Sequence, residues 1–217
     1  MAPVGSGTLR RSLLVALALA ATGCMAPTVN LREGPREYVA DDYDSVLKAW
    51  TREKRLISVR EFDNVLTATA TFESWDFRWA YAIRYAEDYR LTVDQRRQLL
   101  EASLAETREF HQFYVALYAK RPRWSDLTAD DPAWIVRLID DLGNETAPTK
   151  IDPVEKPGAI ELTYFPYTTP WRRAFRIRFG ATRADGQPTI SPLARWFGLR
   201  FAGAQGHDEL SWVVESD

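Results

Sequence analysis

The stretch Phe175-Arg176-Ile177-Arg178-Phe179 alternates apolar side chains with arginine without a fault. Successive side chains of a strand point to opposite faces, so this order commits the segment to a strand with one face in a core and guanidinium groups on the other. It does not stand alone. Phe113, Val115, Leu117 and Ala119 alternate with Gln112, Tyr114, Ala116 and Tyr118, and Trp134, Val136 and Leu138 alternate with Ile135, Arg137 and Ile139. Phe197, Leu199 and Phe201 repeat the pattern around Arg200, and Leu210, Trp212 and Val214 close the chain. Gly180, Asp185-Gly186, Pro188, Pro192, Gly203 and Gly206 punctuate these runs as turns. Short strands at this spacing predict an antiparallel β-sandwich. It is immunoglobulin-like in pattern only, because a chain with one cysteine lacks the Cys…Trp…Cys of true immunoglobulin domains.

Upstream the period changes. Asp44 or Ser45 can cap a short helix carrying Val46, Leu47 and Trp50 on one side. Ser74 can cap a helix to about Tyr89 in which Phe77, Tyr81, Tyr85 and Tyr89 recur at every fourth residue, beside a stripe of Trp75, Trp79, Ala82 and Ala86. Thr92-Val93-Asp94-Gln95 fits a capping box that opens a second helix of strong formers. Ahead of this pair, Leu66 to Phe72 alternates apolar residues with threonine, a strand signature, and residues 63–72 read as an early strand. The expected class is α+β, with a helical hairpin inserted after that strand. One globular domain covers 44–217, helical over 44–110 and β-rich over 111–217. Residues 25–43 hold Pro27, Gly34, Pro35 and mixed charges without an apolar period, and read as a tether.

The first residues carry a different message. Arg10 and Arg11 precede the apolar run Leu13 to Ala21, which ends in Thr22-Gly23-Cys24. A basic start, a short apolar core and a small-residue end describe an export signal, and the run is too short to span a bilayer. Ala21-Thr22-Gly23-Cys24 resembles the lipobox of bacterial lipoproteins, with Ala21 where leucine is commonest. That resemblance implies removal of residues 1–23 by cleavage between Gly23 and Cys24. It also implies diacylglycerol on the Cys24 thiol and acylation of the new amine, so that the membrane is held through acyl chains. Met25 follows, not the aspartate that commonly retains lipoproteins in an inner membrane, which favours the periplasmic face of the outer membrane in a two-membrane bacterium. Cys24 is the sole cysteine, so the protein forms no internal disulfide.

The search for chemistry is mostly negative. A formal net charge of −2 with no basic cluster argues against nucleic acid. His111 and His207 are the only histidines and sit far apart; they read as surface residues, and no metal or cofactor is expected. Ser45-Val46-Leu47-Lys48 matches the Ser-x-x-Lys of penicillin-binding proteins and β-lactamases, whose Ser-Asp-Asn and Lys-Thr-Gly partners are missing. Asp41-Asp42-Tyr43-Asp44, Asp130-Asp131 and Asp140-Asp141 lack the spacing and glycine of a calcium loop and read as solvated turns.

One segment is unusual. Tyr164-Phe165-Pro166-Tyr167-Thr168-Thr169-Pro170-Trp171-Arg172-Arg173 concentrates aromatics, prolines and arginines. Half of it can end a buried strand. Tyr164, Tyr167, Trp171, Arg172 and Arg173 are the candidate partner-binding residues, because exposed Tyr, Trp and Arg mark interfaces. The expected function is therefore a binding or scaffolding subunit of the envelope without catalytic activity. It contacts a protein partner, with a glycan as a second candidate because sugars stack on aromatic faces. The competing class is a cell-wall or glycan-directed hydrolase whose site is built from dispersed carboxylates.

Overall fold

Phe72, Phe113, Phe197 and Trp212 meet at the centre of the molecule. Phe72 lies 4.8 Å from Phe113 and 5.1 Å from Phe197, and Trp212 lies 5.5 Å from each of Phe113 and Phe197 between ring centroids. Phe72 and Phe113 come from one sheet, Phe197 and Trp212 from the other, so the cluster is the seam of two facing sheets. The computed structural model describes residues 27–58 and 63–215. The predicted signal peptide and the Gly23–Cys24 junction lie outside the described residues.

In chain order the strands are β1 (Thr28–Val29), β2 (Thr51–Ser58), β3 (Asp63–Phe72), β4 (Phe110–Tyr118), β5 (Ile135–Asp140), β6 (Glu145–Thr146), β7 (Lys150–Val154), β8 (Arg173–Gly180), β9 (Trp196–Gly203) and β10 (Gly206–Val214). The helices are α1 (Tyr43–Trp50), α2 (Trp75–Asp88), α3 (Val93–Glu109) and α4 (Ala159–Tyr164). One sheet has the order β1-β10-β9-β5-β6 and the other β2-β3-β4-β8-β7. Every pairing is antiparallel except β1 with β10. The molecule is thus a mixed α+β protein with two largely antiparallel sheets. α2 and α3 follow β3 and precede β4, although β3 and β4 are paired neighbours.

The second sheet is buried on both faces, which the alternation alone did not reveal. Ala68, Ala70, Phe113, Val115, Phe175, Ile177 and Phe179 face the other sheet, as the period requires. The opposite face carries Thr67, Thr69, Thr71, Tyr114 and Ala174, and these are buried too. They lie beneath α2 and the 164–172 segment: Phe165 stacks on Tyr114 at 3.9 Å with 10° between the rings, and Phe77 of α2 packs on Phe165 at 5.8 Å. Threonine suits this place because its hydroxyl finds partners under a cover that an apolar residue would leave unsatisfied.

Two of the three predicted caps are present; α1 instead starts at Tyr43 after Asp42, which places Asp44 and Ser45 inside its first turn, where the Ser45 hydroxyl donates back to Asp42 O. Ser74 Oγ accepts from Phe77 N at 3.1 Å, and Thr92 and Gln95 close a reciprocal box at 3.3 and 2.9 Å. On α2, Tyr81, Tyr85 and Tyr89 stack in sequence, 5.8 and 4.3 Å apart. Arg78 is buried on the same helix. It donates to Glu73 O at 3.1 Å, Ser103 O at 3.1 Å and Glu106 Oε2 at 2.9 Å, which fastens α3 to α2.

Two further expectations need correction. β2 reads Thr-Arg-Glu-Lys-Arg-Leu-Ile-Ser, with no apolar alternation, and escaped the sequence reading. It is an edge strand and has no inner neighbour on one side to demand that pattern. A bulge falls between Leu56 and Ile57. The second correction concerns the tether: from Pro27 onward this segment is bound to the domain. β1 pairs with Val213 and Val214, Trp75 Nε1 donates to Gly34 O at 2.7 Å, Arg36 pairs with Asp76 at 2.6 Å and Arg108 with Glu33 at 2.9 Å. Proline, glycine and charge imitate a linker in composition, but here Glu33, Arg36 and Asp42 each have a fixed partner.

Candidate interaction surface

The 164–173 segment is built from two successive proline turns. Thr168 N donates to Phe165 O at 2.8 Å around Pro166, and Arg172 N donates to Thr169 O at 3.0 Å around Pro170. Proline at the second position of each turn pre-sets its φ, so little conformational freedom remains. Tyr167 and Trp171 therefore occupy equivalent third positions, and they point in opposite directions. Tyr167 turns inward, with its hydroxyl 2.7 Å from Thr71 Oγ1 and 3.2 Å from Tyr114 O. Trp171 turns outward and is 82% exposed.

The other candidates divide in the same way. Tyr164 ends α4 and is buried; its hydroxyl donates to Asp88 Oδ2 at 2.8 Å, and its carbonyl accepts from Tyr43 at 2.6 Å. Burial and the Asp88 carboxylate raise its phenol above the ordinary tyrosine range, and burial does the same for Tyr167. Both are anchors rather than surface. Arg172 lies flat against the sheet, donating to Thr69 Oγ1 at 2.5 Å and to Glu53 Oε2 at 3.2 Å. Burial works to raise Glu53, but the hydrogen bonds from Thr69 and Arg172 and the arginine charges outweigh it and hold the carboxyl below its usual range. Arg173 pairs with Asp126.

Two open recesses flank these turns. One, of about 650 Å³, is lined by Pro153, Val154, Leu162, Pro170, Arg173 and Asp126, among others. The other, of about 520 Å³, lies between Trp171, Tyr118, Arg55, Asn64, Thr67 and Arg172. Tyr118 is 42% exposed, so it and Trp171 form an aromatic pair of walls with Arg55 beside them. Sequence reasoning missed Tyr118 and Arg55. The signal existed, since Tyr118 shares the outer register of Tyr114 on β4, but only the fold shows which of the two is covered.

Ser45 is exposed and donates to Asp42 O at 2.7 Å; Lys48 is exposed on the same helix, and neither lines the two recesses. Asp126 and Glu155 share the larger recess. Burial works to raise Asp126, but bonds from Thr128 and the charge of Arg173 hold it below its usual range, so it stays ionised. Asp140 is buried and accepts from Leu142 N, Asn144 N and Ser191 N at 3.0 to 3.2 Å, which makes it the hub of its turn. Among the described residues no group of three His, Cys, Asp or Glu side chains is placed to hold a metal ion. His111 is half-buried against Phe72, 5.8 Å between centroids, and borders a smaller recess of about 390 Å³. Burial pushes its imidazole down to about 4. Comparison with family models, with curated proteins and with solved structures finds no match to this chain.

Proposed function

We propose that this chain is a lipid-anchored envelope lipoprotein that serves as a binding or scaffolding subunit. Cys24 carries the lipid, and the Trp171–Tyr118 surface contacts a protein partner on the periplasmic face of the outer membrane. The anchoring half rests on the Leu13–Ala21 run and its Ala21-Thr22-Gly23-Cys24 ending. Among the described residues no helix is long and apolar enough to cross a membrane. The observation that carries the binding half is Trp171, mostly exposed on a turn whose neighbours are fixed by partly buried hydrogen bonds. A large aromatic held rigid costs little ordering entropy on association, which is why such residues dominate interface energetics.

The strand order supports the finer fold reading. With β3 to β10 taken in turn as A, B, C, C′, D, E, F and G, the sheets read A-B-E-D and G-F-C-C′, the immunoglobulin-like arrangement. β2 then extends one sheet beyond A, β1 lies parallel to G, and α2 with α3 forms a hairpin inserted between A and B.

Two measurements test the proposal. Cys24→Ser should abolish labelling by a fatty-acid probe and release the protein from membranes; persistent labelling refutes the anchor. Pull-down from detergent-solubilised membranes should lose its partner when Trp171 and Tyr118 are both replaced by Ala. Unchanged recovery would remove the binding role from this surface.

A further inference from the structure

The packing of residues 27–43 on the domain limits how the molecule can sit at a membrane. Pro27 is not a loose end: its carbonyl accepts from Arg52 Nη2 at 2.9 Å. The same guanidinium donates through Nε to Ser211 O at 3.0 Å, and through Nη1 to Ala49 O and Thr51 O at 2.8 and 2.9 Å. One arginine therefore ties the start of the described chain to β10, to the end of α1 and to β2. Immediately beyond, Thr28 and Val29 pair with Val213 and Val214, and Glu215 N donates to Val29 O at 2.9 Å.

Only Met25 and Ala26 separate this fixed point from Cys24. A chain extends at most about 3.6 Å per residue, so Cys24 lies within about 11 Å of Pro27 whatever the conformation between them. The polar headgroup region of one leaflet is itself roughly 5 to 8 Å deep. A lipidated Cys24 sits at the inner boundary of that region, so even at full extension Pro27 stands no more than about 3 to 6 Å beyond the headgroups.

We infer that the side of the molecule formed by β2 and β10 lies against the bilayer surface that holds the lipid, so that the domain rests on the membrane edge-on instead of hanging from a leash. This rests on lipidation of Cys24. The two edges belong together, since Lys54 of β2 reaches Asp208 of β10 at 3.4 Å. Lys54 is an exposed cation on this side, with Asp208 beside it, and lipid headgroups are the chemistry it meets. The far side is fixed by the same topology. β7 is the fifth strand from β2 in its sheet, which puts it about 19 Å away at the usual spacing, and β6 closes the other sheet on that side.

The test uses the lipidated full-length protein in vesicles of phosphatidylethanolamine and phosphatidylglycerol containing a headgroup spin-labelled lipid. With the Cys24 thiol acylated, a second cysteine is the only free one. Ser211→Cys places a fluorophore on the exposed face of β10, and Glu155→Cys places one after β7; Lys54→Cys replaces the first if Ser211→Cys fails to fold. The Ser211 or Lys54 label should be quenched several-fold more strongly than the Glu155 label. A long Gly-Ser spacer inserted between Ala26 and Pro27 should erase the difference. Equal quenching without the spacer overturns the edge-on placement while leaving the anchor intact. A protein that neither takes up the fatty-acid probe nor floats with vesicles sinks the anchor, and this inference with it.

Discussion

The hydroxyls of Tyr167 and Thr71 lie 2.7 Å apart. They sit within a chain of hydroxyls whose two ends are carbonyls that can only accept. Thr51 donates to Leu47 O at 2.7 Å and Tyr167 to Tyr114 O at 3.2 Å, and the Thr51 and Thr71 hydroxyls are 2.6 Å apart. This relay ties the first proline turn through β3 and β2 to the last turn of α1. Tyr167→Phe removes its outer member and leaves Thr71 bonded to Thr51. It should cost about 1 to 2 kcal/mol in urea unfolding, because the contacts to Thr71 and to Tyr114 O are both lost and each is ordinarily worth about 1 kcal/mol net. The exposed Trp171 surface should be unaltered.

Replacement of Arg78 should be far more damaging. Its guanidinium joins Glu73, Ser103 and Glu106 from a buried position, and Arg78→Leu would leave Glu73, itself largely covered, without its cation. Removing one partner of a buried pair typically costs about 3 to 5 kcal/mol. Thermal unfolding monitored by circular dichroism should show a large fall in Tm. Arg78→Lys should not rescue it, because a single ammonium cannot reach all three acceptors.

Acid should destabilise the fold before its carboxylates titrate. The His111 imidazole is pushed down to about 4 by burial, against 6.5 when unfolded. A lowered value means that the unfolded chain takes up a proton first, so stability is intact above pH 6.5 and declines as the pH falls toward 4, by up to about 3 kcal/mol. Glu53, Asp126 and Glu161 are lowered from still more acidic references, so their contributions fade only below about pH 4.5. Urea midpoints at pH 7.5 and 5 should therefore converge in His111→Phe and differ in the native protein.

Gly203 ends β9 where the backbone of Ala133 approaches most closely. A methyl group there would run into the Ala133 carbonyl and come within 3.1 Å of the Trp134 ring. Gly203→Ala should cost about 1 to 3 kcal/mol, the usual range for overpacking. Gly143→Ala makes a useful contrast: it has open space around it but a φ of 85°, so any loss there is backbone strain alone.

Elements that obey one period were legible in the sequence. Ser74 and the Thr92–Gln95 box fixed the helix starts, and Leu66–Phe72 and Phe175–Phe179 fixed two strands of one sheet. What failed had a common physical cause. β2 and β1 are edges, and Lys150–Val154 carries a proline, so none of them shows the alternation that a central strand must have. The threonine face of β3 looked solvated because burial under α2 is a tertiary fact. In the 164–173 segment the composition was readable but not the sense of each turn, and Tyr167 and Trp171 differ only in what the fold placed beneath them.

The edges have a consequence beyond the fold itself. An unpaired strand offers a row of N–H and C=O groups on which a second chain can template, the first step of aggregation. β1 and β6 are two residues each, β7 is interrupted by Pro153, and β2 combines a bulge with Arg52, Lys54 and Arg55. Each of these four strands is thereby too short, short of a donor, or too charged and bent to accept a copy of itself. Molecules crowded together on a surface could then collide often without polymerising strand to strand.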